Sequence, residues 1–257
     1  MSYQDKLIEH ERYQERAHMQ LSGVVMFEDV KLGSETIPSY LRTPYIFYEK
    51  VIDNLLRTDH CVLELGAGSG LHTLALLKTG AQVTASDISV NSLTLLYQRL
   101  HSAFSNFNTV VADMESLPFD DSSFDVIVCA GSLSYGEPTI VDVEIRRVLR
   151  PAGMLIFIDS LNHNPVYRAN RWLHYMCGNR SRSTLKRMPN LARIKALGDG
   201  FSNTSVNYFG AVSFIMPLFV FFVGHKYAKK FSDSFDQMIG VKSSAFKFVF
   251  VAQGFLK

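Results

Sequence analysis

Three glycines alternate at Gly66, Gly68 and Gly70 between two acids, Glu64 and Asp87, in VLELGAGSGLHTLALLKTGAQVTASDIS, Val62 to Ser89. A strand that ends in glycines and feeds a helix exposes backbone N–H groups with little steric obstruction, so a nucleotide can approach the main chain closely. The pattern is G-x-G-x-G, with Leu71 where the dinucleotide fingerprint G-x-G-x-x-G has its third glycine. Glu64 would repel a pyrophosphate at that turn and suits a cationic group such as an amino acid's ammonium. Asp87 falls where α/β nucleotide folds accept hydrogen bonds from ribose hydroxyls. With Ala67 and Ile88 beside them, these residues describe a ligand that carries both a ribose and an amino group. Taken singly, the glycines also read as a tight turn and Asp87 as a helix cap.

The elements that must position these groups follow from the alternation of short apolar runs and amphipathic stretches between Val62 and Ser160. That pattern predicts repeated βαβ units and a parallel sheet. Strands are expected at Cys61–Leu65, Gln82–Ser86, Thr109–Ala112, Phe124–Ala130 and Met154–Asp159, nearly all apolar, as suits strands covered on both faces. Ser89 is placed to cap a helix with the stripe Leu93, Tyr97, Leu100 and Phe104; Val141, Ile145, Val148 and Leu149 form another stripe. Arg150 to Gly153, RPAG, is expected to stop that helix and turn the chain. Thr43-Pro44 opens a helix carrying Phe47, Val51 and Leu55. One domain is expected: residues 1–50 a helical cap, 51–160 a cofactor-binding core, and 161–257 a substrate-side insertion with the last strands. Those strands, Asn203–Phe209 and Ala245–Gln253, flank a helix at Met216–Ile239, and their separation allows an antiparallel pair at the sheet edge.

At 257 residues, 47% apolar and 19% charged, the chain has an ordinary globular composition. Its net charge of +2 gives no global basic field, so nucleic acid is not the expected partner. Cys61, Cys129 and Cys177 lack CxxC or Cys/His ligand spacing, so neither a disulfide framework nor a metal site is expected. That cysteine usage and a charged N-terminus without a signal-peptide core point to the cytoplasm. Phe209 to Gly224 is uncharged over 16 residues, short of the roughly 18 to 20 a span needs, and Pro217 interrupts it.

Further along, in VVADMESLPFDDSSFDVIVCAGSLSY, Asp113 directly follows the third expected strand. It can accept from an adenine amino group, with Met114 and Leu117 packed on the ring, whereas Asp120 and Asp121 read as solvated turn acids. With this block, IRRVLRPAGMLIFID (Ile145 to Asp159), the glycine motif and Asp87, the chain resembles class I S-adenosylmethionine-dependent methyltransferases over about Val51 to Ser160. The resemblance implies an α/β, Rossmann-like seven-stranded sheet, mostly parallel with an antiparallel last strand, and helices on both faces. AFKFVFVAQ, Ala245 to Gln253, would be that last strand. It also implies S-adenosylmethionine as cofactor, with Gly66 and Gly68 against its methionine part and Glu64 toward the ammonium. Asp87 would hold the ribose, Asp113 the adenine, and Ala130 would line the sulfonium side.

A sulfonium makes its methyl group electrophilic, which leaves the protein alignment, desolvation and, for a hydroxyl acceptor, proton removal. Candidate bases after strands four and five are Tyr135, Asp159 and His163, histidine being the side chain that exchanges protons near neutral pH. Each also has a structural reading, as a residue packed over the cofactor, a buried acceptor and a loop cap respectively. From Ser160 to Gly198 there is no Asp or Glu, and eight Lys or Arg stand unbalanced. Arg168, Arg171, Arg180 and Arg182 suit bidentate phosphate contacts, and Tyr167, Trp172, His174 and Tyr175 interleave with them. The block NHNPVYRANRWLHYMCGNRSRSTLKRMPN resembles the acceptor region of methyltransferases found with bacterial surface-polysaccharide synthesis. That implies O-methylation of an anionic sugar, phosphate-bearing glycan or glycolipid. The apolar segment 209–224 followed by HKYAKK allows peripheral contact with the inner face of a membrane. Rival readings are methylation of a quinone or fatty acid, RNA methylation, and a non-catalytic module that keeps the cofactor pocket. The oligomeric state is not set by the sequence.

Overall fold

The computed structural model describes residues 3–21, 33–176, 182–212, 216–239 and 244–256. Helix α1 (Tyr3–Leu21) comes first, then two short 3-10 turns and α2 (Thr43–Leu55). Pro44 lies in the first turn of α2, where its missing N–H leaves no helical bond unmade. The buried face of α2 is rotated from the expected stripe. Tyr48 and Ile52 are fully buried, while Phe47, Val51 and Leu55 pack only partly against the core.

Seven strands form one sheet: β1 (Cys61–Leu65), β2 (Gln82–Asp87), β3 (Phe107–Val111), β4 (Phe124–Ala130), β5 (Leu149–Ser160), β6 (Phe201–Phe209) and β7 (Lys247–Phe255). Their order is β3-β2-β1-β4-β5-β7-β6. β1 to β5 run parallel, and β7 is antiparallel to both β5 and β6. The remaining helices are α3 (Thr73–Leu77), α4 (Val90–Leu100), α5 (Pro138–Val148), α6 (Pro165–Met176), α7 (Arg182–Arg187), α8 (Leu191–Gly198) and α9 (Met216–Ile239).

Successive strand residues supply two cores, one on each face, because side chains alternate along a strand. Leu63, Ile127, Cys129, Leu155 and Phe157 pack with Val141, Ile145 and Val148 of α5 and with Ile194 and Leu197 of α8. Val62, Val126, Val128 and Ile156 pack on the other face with Tyr48 and Ile52 of α2 and Leu93, Leu96 and Leu100 of α4. Ser89 caps α4, its hydroxyl accepting from Ser92 N at 3.1 Å. Tyr97 leaves the predicted stripe and stacks in the open on His101. The helix stops at Val148, and Arg150–Gly153, expected as the turn into the next strand, already belongs to β5: Phe124 pairs with Leu149 and Val126 with Met154, so the segment bulges within the strand.

The order reverses between β1 and β4, which opens a crevice at the carboxyl ends of these strands. Ser160, Lys247 and Phe209 stand level across β5, β7 and β6, so the segments after β5 and β6 leave from that same edge. Among the described residues, no helix is long and apolar enough to cross a membrane.

Candidate cofactor and acceptor site

A cavity of about 390 Å³ occupies the crevice, within the roughly 300–1,000 Å³ of small-molecule sites. Every residue proposed from the sequence for the cofactor lines it: Glu64, Gly66, Ala67, Gly68, Asp87, Ile88, Asp113, Met114 and Ala130. They reach it because each lies at, or just beyond, the carboxyl end of β1, β2, β3 or β4. Tyr135 lines it too, from the turn that follows β4. Leu117 does not; it packs into the core beneath.

The loop after β1 is held by its own acids and hydroxyls. Gly66 has φ +67°, and a Cβ there would lie 2.4 Å from Ser132 Oγ, so only glycine fits. Ser132 Oγ donates to Leu65 O at 2.8 Å, which fixes the wall opposite the loop. At Gly68 (φ +54°) a Cβ would meet nothing within 4 Å; the open space is the cavity itself. Asp87 Oδ2 accepts from Gly68 N and Oδ1 from Ser89 N, both at 2.9 Å. Each oxygen keeps acceptor capacity for a hydroxyl of a bound ligand. Burial lifts the Asp87 carboxyl above its ordinary pKa against the pull of these two N–H groups.

Glu64 is 1% exposed and accepts from Thr73 Oγ1 at 2.7 Å. Burial pushes its carboxyl up to about 7; the Thr73 bond opposes this and the charge of Asp87 adds to it. His72, stacked on Tyr45 at 5.3 Å and edge-on to Tyr48, is brought down to about 4 by burial and by Lys247. Glu64, Asp87 and Asp113 line the cavity together with Glu9, which is ion-paired to Arg12, and no lysine or arginine lines it among the described residues. Its field therefore favours a cation and disfavours a pyrophosphate.

The fourth wall is α1, whose Glu9, His10, Tyr13, Ala17 and Gln20 line the cavity. The expected helical cap of residues 1–50 carries no sequence signal that marks these side chains. Gln14 Oε1 accepts from Asn91 N at 2.9 Å and from Ser89 Oγ at 3.1 Å, at the start of α4. The Tyr13 and Tyr135 hydroxyls meet at 2.6 Å, and Thr184 of α7 donates to Glu9 at 3.2 Å. Nothing in the α1 sequence signals these bonds, because the partners lie 75 to 175 residues away. His72, Gly131 and Ser132 are further lining residues that the sequence reading did not select.

Asp159 and His163 are not among the lining residues. Asp159 is buried, accepting from Leu133 N at 3.1 Å and Ser160 N at 2.6 Å, so it braces the turn that carries Tyr135. His163 is exposed. Burial raises the Tyr135 hydroxyl's pKa, and Tyr13 adds to it. Arg168 is exposed, whereas Arg171 is buried and donates to Leu161 O at 2.8 Å while lying over the ring of Phe246. Arg180 lies outside the described residues, and only the backbone of Arg182 is described. Arg187 bonds Glu137 at 2.9 Å, and Arg193 grips both oxygens of Asp142.

Residues 63–157 match the family model described as Methyltransferase domain. The chain is 35% identical over 103 residues to demethylmenaquinone methyltransferase of Clavibacter sepedonicus, covering 38% of this chain and 40% of that protein. It is 33% identical over 134 residues to sterol 4-C-methyltransferase strm-1 of Caenorhabditis elegans, covering 46% of this chain and 38% of the relative. The chain thus spans about two fifths of these relatives. Its fold is similar to that of Haemonchus contortus phosphoethanolamine N-methyltransferase 2 in complex with S-adenosyl-L-methionine. That likeness has a TM-score of 0.59 at 18% identity, over 83% of this chain and 53% of that one. The matched segment is thus similar to a methyltransferase domain, and the fold around it is similar to that of an enzyme that binds S-adenosyl-L-methionine.

Proposed function

We propose that the protein transfers the methyl group of S-adenosylmethionine to an oxygen nucleophile. The carrying observation is the cavity at the β1–β4 switch, which joins an open glycine loop to acids and holds no lysine or arginine among the described residues. Such a lining suits a ligand with an ammonium, a sulfonium and a ribose. In this reading Glu64 holds the ammonium, Gly66, Ala67 and Gly68 let the methionine part approach the backbone, and Asp87 takes the ribose with Ile88 alongside. Asp113 and Met114 receive the adenine, and Ala130 lines the sulfonium side. The bound donor supplies an electrophilic methyl group; α1 and Tyr135 exclude water and orient the acceptor.

For the acceptor we propose a sugar or glycan hydroxyl whose phosphate stays outside the cavity. Support comes from the acidic lining, which is no place for a phosphate, and from exposed Arg168 and Trp172 on α6 and exposed Lys186 on α7. Arg182 stands at the start of α7 and belongs to the same proposed surface. Asp159 serves as a positioning residue through the 133–135 turn. His163, outside the cavity lining, acts as base only for an acceptor that extends over the rim. A quinone-like acceptor is the second reading, favoured by the relative named for demethylmenaquinone.

The test is methyl-labelled S-adenosylmethionine incubated with separated glycan, quinone and lipid fractions. Label in a glycan product supports the first reading and label in a quinone the second. Absence of label from every fraction, with the donor shown to bind, removes methyl transfer as the function.

A further inference from the structure

The two most exposed large apolar side chains among the described residues are neighbours on α9: Phe221, 82% exposed, and Phe222, 74% exposed. Tyr227, further along the same element, is 66% exposed. Nothing in the cavity chemistry uses them. α9 is anchored by its other face, where Met216 and Ala228 are buried with Val212 against Tyr40. Thr43 donates to Asp233 at 2.6 Å, and Lys229 pairs with the same carboxylate. Between the phenylalanines and the lysines the helix breaks at Gly224, whose φ of +78° is open to glycine and strained for other residues. Beyond the break Lys226, Tyr227, Lys229, Lys230, Asp233 and Ser234 line an open groove of about 560 Å³. Asp233 is engaged by Lys229 and Thr43, and Lys226 and Lys230 are exposed.

We propose that this face of α9 is a docking surface for an anionic lipid bilayer. Phe221, Phe222 and Tyr227 enter the interface, and Lys226 and Lys230 meet the headgroup phosphates. Charge complementarity selects this occupant. Interfacial helices combine apolar wedges with lysines on strongly hydrated flanks, and an anionic surface rewards each lysine separately. A second copy of the chain fits worse, because a two-fold interface sets a patch against itself and would bring Lys226 and Lys230 against their own counterparts. The surface leaves the same sheet edge as the cavity, through the segment after Phe209. It rests on α9 alone, so its failure leaves the methyl-transfer reading untouched.

Flotation with phosphatidylcholine vesicles, with and without about 30 mol% phosphatidylglycerol, decides the matter. The wild type is expected to float with the anionic vesicles, stay behind with the neutral ones and release at high salt. Lys226→Gln with Lys230→Gln should lower the partition coefficient about 10- to 30-fold, at roughly one factor of five per lysine. Phe221→Ser with Phe222→Ser should lower it at least about tenfold. Both pairs are exposed, so unchanged thermal midpoints certify folding, and either pair suffices for the test if the other misfolds. Failure of the wild type to float with anionic vesicles overturns the proposal, as does equal flotation with neutral ones. A wild-type dimer that Phe221→Ser converts to monomer, without lipid binding, assigns the face to self-association instead.

Discussion

The carboxyl edge of β1 to β3 and the segment after β5 both carry dense charge of one sign, and the fold treats the two sets differently. Glu64, Asp87 and Asp113 converge on one cavity where no lysine or arginine lines the wall among the described residues. Arg171, Arg187 and Arg193 instead turn onto the protein itself, to the Leu161 carbonyl, Glu137 and Asp142. Topology explains the contrast. Acids that end adjacent parallel strands are brought toward one cavity, and Glu64, fully buried there, is held by the Thr73 hydroxyl. Arginines on helices, with long side chains, can reach carboxylates elsewhere in the fold, and a run that looks unbalanced in sequence is partly balanced in space, by Glu137 and Asp142. A local charge count therefore measures supply, and the fold decides availability.

The largest effect that would break this contrast lies at Asp87. Asp87→Ala removes two charge-assisted acceptors, each worth about 1.5–3 kcal/mol, so affinity for S-adenosylhomocysteine should fall at least about 150-fold by calorimetry. Asp87→Asn keeps one acceptor oxygen and should lose about tenfold. Alanine binding within about threefold of wild type would mean the cavity does not take the ribose there.

Arg193 supplies the opposite case. It pairs bidentately with Asp142, the two side chains only 10% and 18% exposed, so Arg193→Ala leaves a partly buried carboxylate without its partner. About 2 kcal/mol should be lost, lowering the thermal midpoint by about 4–8 °C with donor affinity unchanged. Arg168→Ala, at an exposed position, should leave the midpoint within about 1 °C and reduce turnover of a phosphate-bearing acceptor alone. A stable Arg193→Ala protein that has lost turnover would place the phosphate contact on α8 and erase the contrast.

Legibility follows the same division. The core from β1 to β5 was readable because each strand is a continuous apolar run and each cofactor residue sits at a strand end, where local pattern and spatial position coincide. The seven strands and the antiparallel pairing of β7 agree with expectation, as do the limits of α9. RPAG reads as a turn ahead of the strand and is instead a bulge inside it, because local signals do not show that Phe124 and Val126 hold both its sides in one ladder. The α2 stripe was misplaced because a helix with aromatic and aliphatic residues on neighbouring faces offers two readings, and tertiary packing chose Tyr48 and Ile52. The wall built by α1 was invisible, since a polar helix held by Gln14, Tyr13 and Glu9 carries no periodic apolar signal.

The predicted effect most specific to the acidic edge is a pH slope set by Glu64. Its native carboxyl is pushed up to about 7, chiefly by burial, whereas a carboxyl in the unfolded chain titrates near about 4.3. Between those values the native protein holds a proton that the unfolded chain has released. Stability of the ligand-free protein should therefore decline as pH rises from about 4.3 to about 7, and level beyond. A ligand ammonium reverses the preference, because it needs the carboxylate. Donor affinity should rise about tenfold per unit as pH climbs toward 7 and then flatten, with proton release on binding only below that point. Glu64→Gln is neutral at every pH, so it should remove both slopes and bind like the acidified wild type. Equal affinities for S-adenosylhomocysteine at pH 5.5 and 8 in the wild type would show that Glu64 does not face the ammonium. The one feature that separates the acidic edge from the internally paired arginines, a buried charge left waiting for its counter-ion, would then be absent.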